Sequence, residues 1–398
     1  MAFNDDKEKN QALQFFWNEN NTIIDIDTHF YIRNLAQKLL TTNYDFFVMS
    51  DASVNAFATE FGLIGINKGL VNLTKNESEL ASVVAHEIAH IKLEHFARFR
   101  NKNEHNNLIV IGGLLLAAIS QNSEVSQALF TGTLATSTQL QINFTRSNEI
   151  EADDYGKQLL NKSEFDNTAM SSFFGRLKDD KNALEFLRSH PLSINRVINN
   201  FELKPSDSTI KHNSSFEYQI LKAKFNKNAD ELLTNNKLKI YIQALKYFEL
   251  KEYSKTIKIL EKLDNDAANI LKGKSFAKLK NIQQALKYLN KNNYLHRYYV
   301  AWSYFINNQY PQALAILKKQ NYKQPSFYNY DLIAKINLKR GNNDKYHYNK
   351  GLGYLLTGFI KTAKEQFMLA KNITQNQDLL DILAFKISKI DRVLKSKL

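Results

Sequence analysis

The chain has 398 residues, 43% of them hydrophobic, and a formal net charge of +13, enough for two or three domains with real cores. The absence of cysteine excludes disulfide frameworks, thiolate zinc sites and a cysteine nucleophile. Four prolines and thirteen glycines are few turn residues for an all-β protein, so the composition points to helix.

The first residues, MAFNDDKEKNQ, are acidic and polar, without the basic and apolar regions of an export signal. They fit a cytosolic protein or a processed form. Residues 10–45 read as helical, with Leu13, Phe16, Ile32, Leu35 and Leu39 at three- and four-residue steps. YDFFVMS (44–50) reads as a strand, and NAFATEFGLIGINKGL (55–70) as a hairpin or short paired strands. From Glu77 to about Arg100 the pattern is one long helix, capped by Ser78 or Asn76. Leu108–Ile119 (LIVIGGLLLAAI) is apolar but shorter than a membrane span. It reads as a lid, a contact with a membrane surface or a buried core helix. Residues 107–160 give two or three helices, the last containing NEIEADDYGKQLL (148–160).

A linker-like stretch, ELKPSDSTIKHNSS (202–215), places the boundary between domains 1–205 and 206–398. Residues 1–200 carry 18 Lys+Arg against 24 Asp+Glu, and the rest 35 against 16, so two units with different partners are expected. The basic half is lysine-rich, arginine-poor and without a groove-reading motif, so no nucleic-acid partner is expected. Four of its pieces (244–260, 275–289, 301–317 and 351–367) resemble one another. Each runs from an apolar helix through a polar turn to Tyr253, Ile282, Tyr310 or Phe359. A small or short residue (Thr256, Ala285, Ala313, Thr362) follows three positions later. That is the logic of degenerate tetratricopeptide repeats; an ordinary helical bundle is the plain alternative.

His86-Glu87-Ile88-Ala89-His90 is an HExxH motif. On a helix, i and i+4 share a face, so both imidazoles reach one Zn²⁺. Glu87 is then placed to take a proton from water at the open position. A third ligand must come from elsewhere, and Glu149 on the later helix is the candidate. Asp153, one turn on, can orient a ligating histidine. Without the HExxH helix, Glu149, Glu151, Asp153 and Asp154 would read as a solvated acidic face. His95 lies off the metal-binding face of a continuous helix and reads as structural. His29, His105, His212, His296 and His347 have no partner spacing, whereas His190 stands in the compact phrase SHPLSINRV (189–197).

Four motifs in this order, NAFATEFGLIGINKGL, SELASVVAHEIAH, FTRSNEIEADDYG and His190-Pro191 to Arg196, resemble the gluzincin metallopeptidases. These include the CAAX prenyl endopeptidases, the HtpX-like membrane proteases and the mitochondrial Oma-type proteases. One hydrophobic stretch and a following repeat domain resemble the periplasmic members concerned with outer-membrane β-barrel assembly. The resemblance implies a zincin-like α+β protease domain, mainly helical with a small sheet, followed by an all-α tetratricopeptide-type solenoid. It implies Zn²⁺ on His86, His90 and Glu149, Glu87 as base, Asp153 supporting a ligand, and His190 and Arg196 near the metal. His190 would be a fourth ligand in a latent state. It implies that Gly62, Leu63 and Ile64 pair with the substrate backbone near Asn55 and Ala56, and that Arg146 answers to a family arginine. Unfolded outer-membrane proteins as substrates, the β-barrel assembly machinery as partner and a periplasmic location follow from it as expectations. The rival expectation is a chaperone or scaffold that works through the repeats and carries a latent protease site.

Overall fold

A computed structural model describes residues 7–102, 135–177, 184–190, 214–226, 235–290 and 293–395. Two compact units result, one of residues 19–227 and one joining residues 1–18 to 228–398. The boundary expected at 205/206, the apolar stretch 108–119 and Arg196 lie outside the described residues. Among the described residues no helix is long and apolar enough to cross a membrane.

The expected helix over 10–45 is interrupted. Helix α1 (Lys7–Phe16) stops before residues 17–25, and α2 (Ile26–Leu39) restarts where Asp25 accepts the Thr28 N–H. Between them the chain is extended: Thr22 bridges to Met49, and the Ile23 N–H bonds Val48 O at 2.9 Å. A run of aromatic and β-branched residues gives β1 (Asp45–Met49), and a hairpin gives β2 (Ala56–Ala58) and β3 (Leu63–Asn67). Strand order is β1-β3-β2, with β3 parallel to β1 and antiparallel to β2. A short α3 (Lys68–Leu73) leads to α4 (Glu77–Lys92).

Asn76, not Ser78, caps α4. Its side chain accepts the Glu79 N–H, while Glu79 reaches back to the Lys75 N–H. Glu79 is fully buried, and the fork of Arg176 holds both its oxygens at 2.5 and 2.7 Å; the pairing offsets the cost of burying the charge. The helix then ends at Lys92. Glu94 takes a left-handed turn (φ 54°), and α5 (His95–Lys102) sets off in a new direction. Helix α6 (Ala135–Asn161) lies on α4, and α7 (Ala169–Leu177) and α8 (Leu184–Ser189) follow. Helix α9 (Phe216–Phe225) belongs to the same unit, through Ser215 on Glu77 and Tyr218 on Thr74. Phe46, Val48, Ile64, Ile66, Leu80, Val84 and Phe173 form its core.

The second unit is helical throughout its described residues. Hairpins turn after residues 249, 278, 306, 339 and 356. Each turn has a left-handed residue, namely Lys251, Lys280, Asn308, Gly341 or Gly358. Each repeats one pair of bonds, such as Lys280 N–H to Ala277 O and Asn281 N–H to Phe276 O, the Schellman closure. Thr256, Ala285 and Ala313 are fully buried one turn into the following helices. In the 351–367 piece the buried small residue is Ala363, not Thr362. The turn closes on Gly358 and Phe359, which shifts the register by one.

Helix α1 belongs to this unit. Gln14 donates to Gly358 O at 2.6 Å, and the Trp17 ring lies 5.0 Å from Phe327. Gly358 has φ +78°, and a Cβ there would stand 2.4 Å from Asn10 O. Gly358→Ala is expected to destabilise this unit by about 1–3 kcal/mol, read as a lower midpoint in denaturant unfolding of the full chain.

Candidate metal centre

Helix α4 is buried on every side from Glu79 to His90, so its imidazoles face protein and not bulk water. Helix α6 crosses it closely. At Gly156 a Cβ would just touch the Ala85 and His86 backbone at 3.4 Å and would crowd Met170 Cε at 2.8 Å. Glu149, Ala152, Asp153 and Gly156 recur at helical spacing, so one face of α6 brings both carboxylates to α4.

The side chains of His86, His90, Glu149 and His190 converge, with ligand atoms all within 4.8 Å of one another. His86 Nε2 is 3.0 Å from His90 Nε2 and 3.3 Å from His190 Nδ1. Glu149 Oε2 is 3.2 Å from both His86 Nε2 and His190 Nδ1, and Oε1 is 3.3 Å from His90 Nε2. Behind this group Asp153 Oδ1 lies 3.0 Å from His86 Nδ1. Glu87, 1% exposed, stands beside the cluster with Oε1 3.5 Å from His190 Nε2.

The donor set fits a divalent transition metal. Three imidazoles and a carboxylate, with no thiolate, suit zinc or its neighbours. The electrostatics agree. Burial pulls the His86 imidazole down, but Glu149 and Asp153 outweigh it and push it up to about 10. Burial also pushes Glu149 up, yet His190, His90 and His86 outweigh it and hold the carboxyl well below its usual range. The pocket is built to keep positive charge beside Glu149.

His190 reaches the cluster from the end of α8. Its ring stacks on Phe186 at 4.6 Å, and its Nε2 is 3.3 Å from Ala56 O. Asn55 is next to it: Asn55 Oδ1 accepts from the Ala56 N–H at 2.9 Å and from Ser189 Oγ at 3.2 Å. Of the residues expected to contact substrate, Asn55 and Ala56 therefore lie beside the candidate ligands.

Leu63 and Ile64 do not offer an edge. They lie in β3, the central strand, with β1 on one side and β2 on the other. The Thr59 N–H also bonds Leu63 O. Both are buried, and Gly62 (φ +78°) forms the hairpin turn under Tyr44. An extended substrate cannot add to a strand already paired on both sides. The segment 21–23 covers the far side of β1, so the outward edge of the sheet belongs to β2.

His95 is the residue that sequence reasoning misplaced. On a straight helix it would point about 140° away from His90. The break at Glu94 instead swings it back, and its Nδ1 lies 2.9 Å from His90 Nδ1. No glycine or proline marks the break, so the apolar pattern runs on through it. Arg146 is exposed on α6, three residues before Glu149.

Residues 25–200 match Peptidase family M48. Over 263 residues the chain is 34% identical to a Vibrio cholerae protein provisionally named as a beta-barrel assembly-enhancing protease. That match takes in 58% of this chain and 54% of the relative, so it spans about half the relative's length. The Escherichia coli (strain K12) beta-barrel assembly-enhancing protease is 27% identical over 84% of this chain and 76% of its own. The mitochondrial metalloendopeptidase OMA1 of Schizosaccharomyces pombe is 26% identical over 43% of this chain and 51% of its own.

Proposed function

We propose, from the premise that residues 25–200 form a domain of peptidase family M48, that this chain is a zinc-dependent endopeptidase. The observation that carries the reading is the convergence of His86, His90, Glu149 and His190 within 4.8 Å, with Glu87 alongside. Zinc held there would acidify a water molecule and polarise the scissile carbonyl. Glu87 is the residue that would accept a proton from the attacking water and pass it to the leaving amine. Asp153 fixes the ring of His86. The outward edge of β2, at Ala56 and Ala58, aligns an extended peptide by strand addition.

The test is elemental analysis of the purified chain with a casein hydrolysis assay. About one zinc per chain, with activity lost to a chelator and restored by zinc, supports the reading. A metal-supplemented preparation that binds no zinc sinks it.

His190 makes the resting site latent. It lies against the candidate ligands and also engages Ala56 O on the edge that substrate would use. One side chain would thus fill the open position on the metal and cover the strand edge, and its displacement by substrate or partner would be a population shift. His190→Ala is expected to raise hydrolysis of an unfolded substrate several-fold, measured as initial rate at fixed zinc. Unchanged or lost activity would mean that His190 is no plug.

The relatives' names support a role in β-barrel assembly; the motif resemblance extends this to the periplasm, with unfolded outer-membrane proteins as substrates and the assembly machinery as partner. The hairpins of the second unit, read as a tetratricopeptide-type solenoid, supply the binding surface for them. A chaperone that works through these hairpins is the second reading, favoured by the seated His190.

A further inference from the structure

His90 has two ring nitrogens with different tasks. Its Nε2 faces His86 and Glu149 at 3.0 and 3.3 Å, in the ligand group. Its Nδ1 faces away, 2.9 Å from His95 Nδ1. A ligating nitrogen presents its lone pair, so the ring proton of neutral His90 sits on Nδ1. His95 must then accept at Nδ1 and carry its own proton on Nε2. That nitrogen lies 3.5 Å from Glu151 Oε2, close enough for charge attraction, and has no hydrogen-bond partner among the described residues. Arg98 in turn grips Glu151 through two bonds of 2.6 and 3.2 Å. His95 is 3% exposed, while Glu151 and Arg98 are at the surface. The hydrogen-bonded link is His90 to His95, and the Glu151–Arg98 pair lies between that pair and solvent with the charge a ring N–H favours.

We propose that His95 is a positioning residue for His90. It accepts the Nδ1 proton and fixes the ring's tautomer and tilt, with the Glu151–Arg98 pair facing its other nitrogen. It serves His90 as Asp153 serves His86, but from a new helix and with a neutral acceptor. The break at Glu94 is what delivers it. The inference rests on the metal-site reading above.

The test is zinc affinity of the full chain, by competition with a chromophoric chelator, in the wild type and three variants. His95→Ala removes the acceptor, and affinity is expected to fall about 10–100-fold, the usual cost of losing an outer hydrogen-bond partner. His95→Asn sets an amide oxygen where Nδ1 stood and is expected to recover most of the loss. Glu151→Gln, at the exposed end, is expected to weaken zinc binding in the same direction and less; it keeps the test decisive if His95→Ala does not fold. Wild-type affinity in His95→Ala overturns the inference and leaves the metal site standing, as does equal weakening by Ala and Asn, the mark of a packing role. If His95→Ala does not fold, unaltered affinity in Glu151→Gln also overturns it. Failure of the wild type to bind zinc overturns both.

Discussion

Glu87→Gln is expected to lower peptide hydrolysis about 10²–10⁴-fold, the typical worth of a positioned general base, while zinc stays bound. Glu87 lies next to His86 in sequence but is not one of the four converging side chains. Its Oε1 is buried and has no hydrogen-bond partner among the described residues. His190 Nε2 lies 3.5 Å away. Glutamine keeps the shape and removes the basicity, so folding and metal content should not change. The fall should appear in kcat rather than KM, because a base acts in the transition state. Near-wild-type hydrolysis would place the base elsewhere. Full activity of Glu87→Gln in cells, with hydrolysis lost in vitro, would favour the chaperone reading.

Glu149→Gln is expected to have the opposite signature: metal is lost first and activity with it. Glu149 is the one carboxylate among three imidazoles, 2% exposed, and touches all three at 3.2–3.3 Å. Its charge is the main influence holding His86 up against burial. The amide would keep the volume but leave a dication facing only neutral nitrogens in a dry site. Zinc affinity should fall by more than the about 10–100-fold lost with an outer partner. The difference is readable as stability. A ligand at about a thousand times its Kd adds about 4 kcal/mol, so zinc should raise the melting temperature of the wild type and leave the variant almost unmoved. Equal zinc-induced shifts would show that Glu149 is no ligand.

The sequence by itself determined whatever depends on spacing along one element. The i, i+4 steps of His86 and His90, and of Glu149 and Asp153, put each pair on one face of a helix before any packing is known. The strands at 45–49, 56–58 and 63–67 follow from β-branched and aromatic runs broken at Gly62. Tertiary structure decided what depends on a break or on a neighbour. His95 reaches His90 because the helix ends at Lys92, an end set by one left-handed residue with no glycine to announce it. Leu63 and Ile64 are closed to substrate because β3 pairs on both sides, and strand order is not written in either strand. Helix α1 joins the second unit because the backbone at Gly358 has room for it and for no side chain. His190 meets His86 from 104 residues further along the chain, and only the packing of α8 brings it to the candidate ligands.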